Sequence, residues 1–97
     1  MKTIWKFSVP DESVFSLSMP KDSKILTINV QQGDPFIFAM VDSSKTYEFR
    51  KFQLIGTGQD IEDIAKAPNN FKYIGTFFTN DETLVFHLFE EQNIFFG

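Results

Sequence analysis

Apolar and polar residues alternate with a period of two along most of the chain, the signature of half-buried β-strands. Thr3, Trp5, Phe7 and Val9 share one parity and Ile4, Lys6 and Ser8 the other. Pro10-Asp11-Glu12-Ser13 has turn chemistry, and Phe15, Leu17 and Met19 then alternate with Val14, Ser16 and Ser18 up to Pro20. These two segments are expected to form a hairpin. A third strand follows the polar turn Lys21-Asp22-Ser23, with Leu26, Ile28 and Val30 alternating with Ile25, Thr27 and Asn29. Gln31 to Pro35 reads as a turn. Every position from Phe36 to Val41 is apolar, which predicts a central strand buried on both faces, with Phe36, Phe38 and Val41 in the core.

After the turn Asp42–Lys45, the apolar parity changes within one segment, from Tyr47 and Phe49 to Phe52 and Leu54. A change of face around Arg50-Lys51 predicts a β-bulge or a bend between sheets. Asp60 to Ala67 carries an acidic start and a following Pro68, which suits one short helix capped by Asp60. Phe71–Phe78 and Leu84–Phe89 read as two further strands joined by a hairpin turn at Thr79–Glu82, and Ile94-Phe95-Phe96 as a closing edge strand. The expectation is an all-β, mainly antiparallel single domain over residues 1–97. It would be a small sandwich or barrel of about seven short strands with at most one short helix near 60–67.

Composition narrows the chemistry. The 97 residues include no cysteine, which excludes disulfides, thiolate metal sites and cysteine nucleophiles and points to a reducing cytoplasm. No apolar run reaches the roughly 18 residues of a membrane span, and the start lacks a signal-peptide core, so no membrane partner is expected. The net charge is −4 and the nine Lys and Arg are scattered; without a basic stripe, nucleic acid is not an expected partner. Thirteen phenylalanines supply a ring-packed core and leave some for an interface. Ile94, Phe95 and Phe96 are the leading interface candidates, because an apolar chain end must be buried against its own domain or a second subunit.

Few residues could carry chemistry. His87 is the only histidine, so no histidine metal cluster can form. Its apolar neighbours favour a hydrogen-bonded structural role. Gly56-Thr57-Gly58 sits between a strand and the expected helix, where backbone amides can meet an anion, but no loop lysine follows and Asp60, Glu62 and Asp63 would repel a phosphate. A glycine-permitted turn is the plainer reading. Asp60, Glu62, Asp63, Asp81 and Glu82 lack calcium-loop spacing. Arg50, the only arginine, is either a binding residue or an exposed cross-strand partner of Glu48 or of the neighbours of Lys51. No cofactor and no catalytic residue is expected.

Met19-Pro20, Ile25-Leu26, Val30-Gln31, Gly33, Pro35, Ala39 and Val41-Asp42 form an ordered set with Phe52, Gly56-Thr57-Gly58, Ile61-Glu62-Asp63, Tyr73-Ile74-Gly75-Thr76 and Val85 to Glu90. Together they resemble a family of short bacteriophage and prophage proteins classed as a domain of unknown function, over roughly residues 2 to 90. Gln59 stands where histidine is common in that family, Phe38 where tryptophan is common, and the tail from Glu91 departs from the usual ending. The resemblance implies a phage setting in a host cytoplasm. The leading expectation is a non-catalytic accessory domain that binds a host or phage protein and self-associates, as a dimer for example. The alternative is a small-ligand protein that sequesters a nucleotide signal in phage counter-defence. Arg50, Gly56, Thr57, Gly58, Tyr73 and His87 would be its ligand-binding candidates.

Overall fold

A computed structural model of the chain describes residues 1–60, 71–79 and 83–92. Seven strands form two antiparallel sheets packed face to face. They are β1 (Lys2–Ser8), β2 (Val14–Pro20), β3 (Lys24–Gln31), β4 (Asp34–Asp42), β5 (Tyr47–Gly56), β6 (Phe71–Phe78) and β7 (Val85–Glu91). One sheet has the order β1-β4-β3 and the other β2-β5-β7-β6. The expected all-β sandwich is therefore present. The helix expected near 60–67 and the tail strand at Ile94–Phe96 fall on positions 61–70 and 93–97, outside the described residues.

The hairpin expected between β1 and β2 does not form. β1 pairs with β4, Trp5 opposite Ala39, and β2 pairs with β5, Phe15 opposite Phe52. The link Val9–Ser13 instead crosses between sheets, its ends tied by Val9 N–H to the Pro35 carbonyl and Leu54 N–H to the Ser13 carbonyl, at 3.2 and 2.7 Å. The hairpin that does form joins β3 to β4 through Gln32 and Gly33, with φ of 53° and 84°. Two successive positive φ values mark the type I′ turn, whose twist matches the flanking strands.

Between the sheets, Phe15, Met19, Phe52, Phe77 and Leu88 meet Ile28 and Ile37. Phe15 stacks on Phe52 across the β2–β5 pair, centroids 5.5 Å apart. β4 is central, as its apolar run predicts, but only one of its faces is buried. Ile37, Ala39 and Val41 point inward. Phe36 and Phe38 lie on the outer face, half-buried, beside exposed Met40. The Lys6 ammonium lies over the Phe36 ring at 4.6 Å, so a lysine stem and a cation–π contact cover what a second layer would otherwise cover.

No bulge interrupts β5; its register against β2 runs unbroken from Val14–Gln53 to Pro20–Tyr47. The parity change arises because Glu48 and Arg50 point inward while Tyr47 and Phe49 face solvent. Bulges occur elsewhere, between Ile25 and Thr27 in β3 and between Tyr73 and Gly75 in β6. The second brings Gly75 against Ile28 of the facing sheet, where an added Cβ would sit 3.0 Å from the Ile28 Cγ2. Glycine here permits the close approach of β3 and β6.

Candidate functional site

The outer face of the four-stranded sheet gathers four of the residues singled out from sequence, or their direct partners. β7 alternates, with Phe86, Leu88 and Glu90 inward and Val85, His87 and Phe89 outward. His87 lies opposite Thr76 of β6 and Ile55 of β5. Its Nδ1 is 2.8 Å from the Thr76 hydroxyl and its Nε2 is 2.8 Å from the Thr57 hydroxyl. The Tyr73 hydroxyl lies 2.5 Å from the Thr76 hydroxyl, and its ring tilts against Phe89 with centroids 5.5 Å apart. The result is one hydrogen-bonded row, Tyr73–Thr76–His87–Thr57. A neutral imidazole fits it with one threonine donating to the ring and the other accepting from it.

The Gly56–Gln59 loop exists to aim Thr57. The Gln59 N–H donates to the Gly56 carbonyl at 3.0 Å, and Gly58 takes φ 89°, the sign pattern of a type II turn. The Gln59 side chain accepts from the Gly56 N–H at 3.0 Å, and the Thr57 N–H donates to the Val85 carbonyl at 2.9 Å. Three amides of the loop are thus engaged within the chain rather than turned toward an anion. The same commitment leaves them unable to act as an oxyanion hole. The Thr57–His87 pair has the spacing of a nucleophile and base, yet the group behind the imidazole is the neutral Thr76 hydroxyl rather than a carboxylate.

Arg50 belongs to a different place, on the inner face of the same sheet. Its Nε and Nη2 grip both carboxylate oxygens of Glu90, the second at 2.9 Å, and its Nη1 donates to the Ser23 carbonyl at 2.7 Å. The Glu90 hydrogen bond raises the Arg50 pKa further above its ordinary value, against the opposing cost of burial. The arginine is therefore a clamp between β5, β7 and the β2–β3 turn, and its partner is Glu90 rather than Glu48. Sequence reasoning missed Glu90, although its parity with Phe86 and Leu88 places it inward. Arg50 and Tyr73 both line an open cleft of about 440 Å³ with Lys24 and Lys72; His87 and the Gly56–Gly58 loop do not. Ile94, Phe95 and Phe96 lie outside the described residues.

Large apolar side chains are also exposed on the face that carries His87. Phe49 is 78% exposed and Tyr73 54%, and Val14 and Tyr47 are exposed as well. Lys51 and Glu91 form an ion pair of 3.3 Å among them. No group of three or more metal-ligating side chains occurs among the described residues, and no helix among them is long and apolar enough to cross a membrane.

A family model described as "Domain of unknown function (DUF7352)" matches residues 1–94. The chain belongs to this family. The match spans the strands of both sheets. No curated protein and no solved structure matches the chain.

Proposed function

We propose that this family member is a non-catalytic binding domain whose protein-binding surface is the outer face of the four-stranded sheet. The observation that carries this reading is Phe49, 78% exposed within strand β5, with Val14, Tyr47 and Tyr73 on the same face. Aromatic side chains held rigid by a sheet lose little entropy on binding and are enriched at the centres of protein interfaces. The Tyr73–Thr76–His87–Thr57 row supports the role, because it fixes the tyrosine and supplies polar groups for orientation beside apolar area. The partner is a host or phage protein, or a second copy of the chain, in the cytoplasmic phage setting that the family resemblance implies.

Affinity capture with the wild-type chain and with Phe49→Ser tests this. Phe49 is 78% exposed, so its replacement opens no buried cavity and the variant keeps the fold. The partner or second copy held by the wild type is lost from the variant. Equal retention by both would overturn the assignment of this face.

A further inference from the structure

At the opposite end of the sandwich from Arg50, an open cleft of about 550 Å³ lies between the β1–β2 link, the β3–β4 turn and the end of β6. Leu54, Phe77, Phe78 and Phe86 give it an apolar side, and Ser13, Gln59 and Thr79 also line it. Phe77 and Phe86 stack with centroids 5.7 Å apart. Its rim holds Asp11, Glu12 and Asp34, and among the described residues no Lys, Arg or His lines it. The other acids in the described strands and turns are engaged. Asp22 pairs with Lys45, Asp42 with the Ser44 amide and hydroxyl, Glu48 with the Asp22 amide, Glu90 with Arg50 and Glu91 with Lys51. The side chains of Asp11, Glu12 and Asp34 make no hydrogen bond or ion pair with a described residue, and all three line this one cleft.

We propose that this cleft seats an arginine or lysine side chain carried by a basic segment of a partner protein, an inference that rests on the reading of the chain as a protein-binding domain. The chemistry of the groove selects that occupant. An apolar stem and its flanking residues would cover the phenylalanine floor, the cationic head would reach the three carboxylates at the rim, and a guanidinium or ammonium is attracted by ring faces. An acidic or neutral segment would satisfy the floor and leave the rim uncompensated.

The test is an NMR titration of the full ¹⁵N-labelled chain with three probes: the blocked tripeptide Leu-Arg-Leu, the blocked tripeptide Leu-Glu-Leu and free n-propylguanidinium. Leu-Arg-Leu is expected to shift the amides of Ser13, Gly33, Leu54 and Phe77, and Leu-Glu-Leu to leave them in place. Asp11→Asn/Glu12→Gln/Asp34→Asn, at exposed positions without partners, should keep a dispersed spectrum and weaken the arginine peptide at least fivefold. Phe78→Ser, which removes one wall and no charge, should weaken it as well. Unmoved cleft amides, equal shifts from both peptides, or an undiminished affinity in the triple variant would overturn the proposal. Propylguanidinium binding as tightly as the peptide would also overturn it, by making the cleft a small-cation site. Shifts confined to Phe49 and Tyr73 would overturn it while leaving the outer-face reading intact; loss of capture by Phe49→Ser tests that reading separately.

Discussion

Arg50 and Glu90 carry the largest single-residue consequence in the fold. Their side chains are 19% and 8% exposed, so removing one partner strands a largely buried charge. Glu90→Ala should cost about 3 kcal/mol in urea unfolding, at the low end for a broken buried pair because Arg50 keeps some water. The double replacement Arg50→Met/Glu90→Leu should recover most of that loss, since an apolar pair of similar volume leaves no orphan. Asp42 gives a pH-dependent prediction. Hydrogen bonds from the Ser44 hydroxyl and amide hold its carboxyl well below its ordinary 3.8. A depressed carboxyl contributes stability that is present above its unfolded value and is lost as pH falls below it. Asp42→Asn should therefore lower Tm at pH 6, and its difference from wild type should shrink steadily as pH falls from about 4 toward 2. A constant difference across that range would contradict the assignment.

At the scale of elements, the sequence disclosed strands more readily than partners. Most of the described strands follow the period of two, because a half-buried sheet writes its pattern locally; β4, apolar from Phe36 to Val41, and β5, with its change of parity, depart from it. Pairing is not local. Val9–Ser13 looks like a hairpin turn, and only the pairing of β1 with β4 and of β2 with β5 decides that it crosses the sandwich. β4 shows the same limit within one strand. Phe36 and Phe38 read as core from composition, yet they lie on the outer face, where Lys6, hydrogen-bonded to Gln31, covers the Phe36 ring in part. The core ring is Phe52, wholly buried. Phe52→Ala should cost about 3–5 kcal/mol, and Phe38→Ala less than half as much. In β6, Gly75→Ala should destabilise by about 1–3 kcal/mol, because the new methyl meets Ile28, which is itself packed in the core. Denaturant midpoints of the three variants check both claims. The parity change in β5 was legible as an anomaly; its cause, an inward arginine, required Glu90 to be seen as its partner across 40 residues of sequence.

For the whole molecule, the candidate residues divide between the two sides of one sheet. Thr57, Tyr73 and His87 share the outer face, while Arg50 is turned inward and committed, and the loop glycines serve a turn. Arg50 and Tyr73 still meet at one edge cleft, but Thr57 and His87 lie away from it, so the candidates do not form a single pocket; no local pattern in the chain revealed this, because the face of each residue depends on bulges and cross-strand register. The acidic rim of the second cleft was hidden for the same reason: Asp11, Glu12 and Asp34 are separated in sequence and read as ordinary turn residues. Native mass spectrometry of the tagged chain recovered from a phage-infected cell lysate, run beside a Phe49→Ser/Tyr73→Ser variant, tests the central claim most directly. The predicted result is a protein partner or second copy retained by the wild type and absent from the variant, with both chains folded. A variant that keeps the same protein complex, or a wild type that carries only a small-molecule adduct, would contradict it.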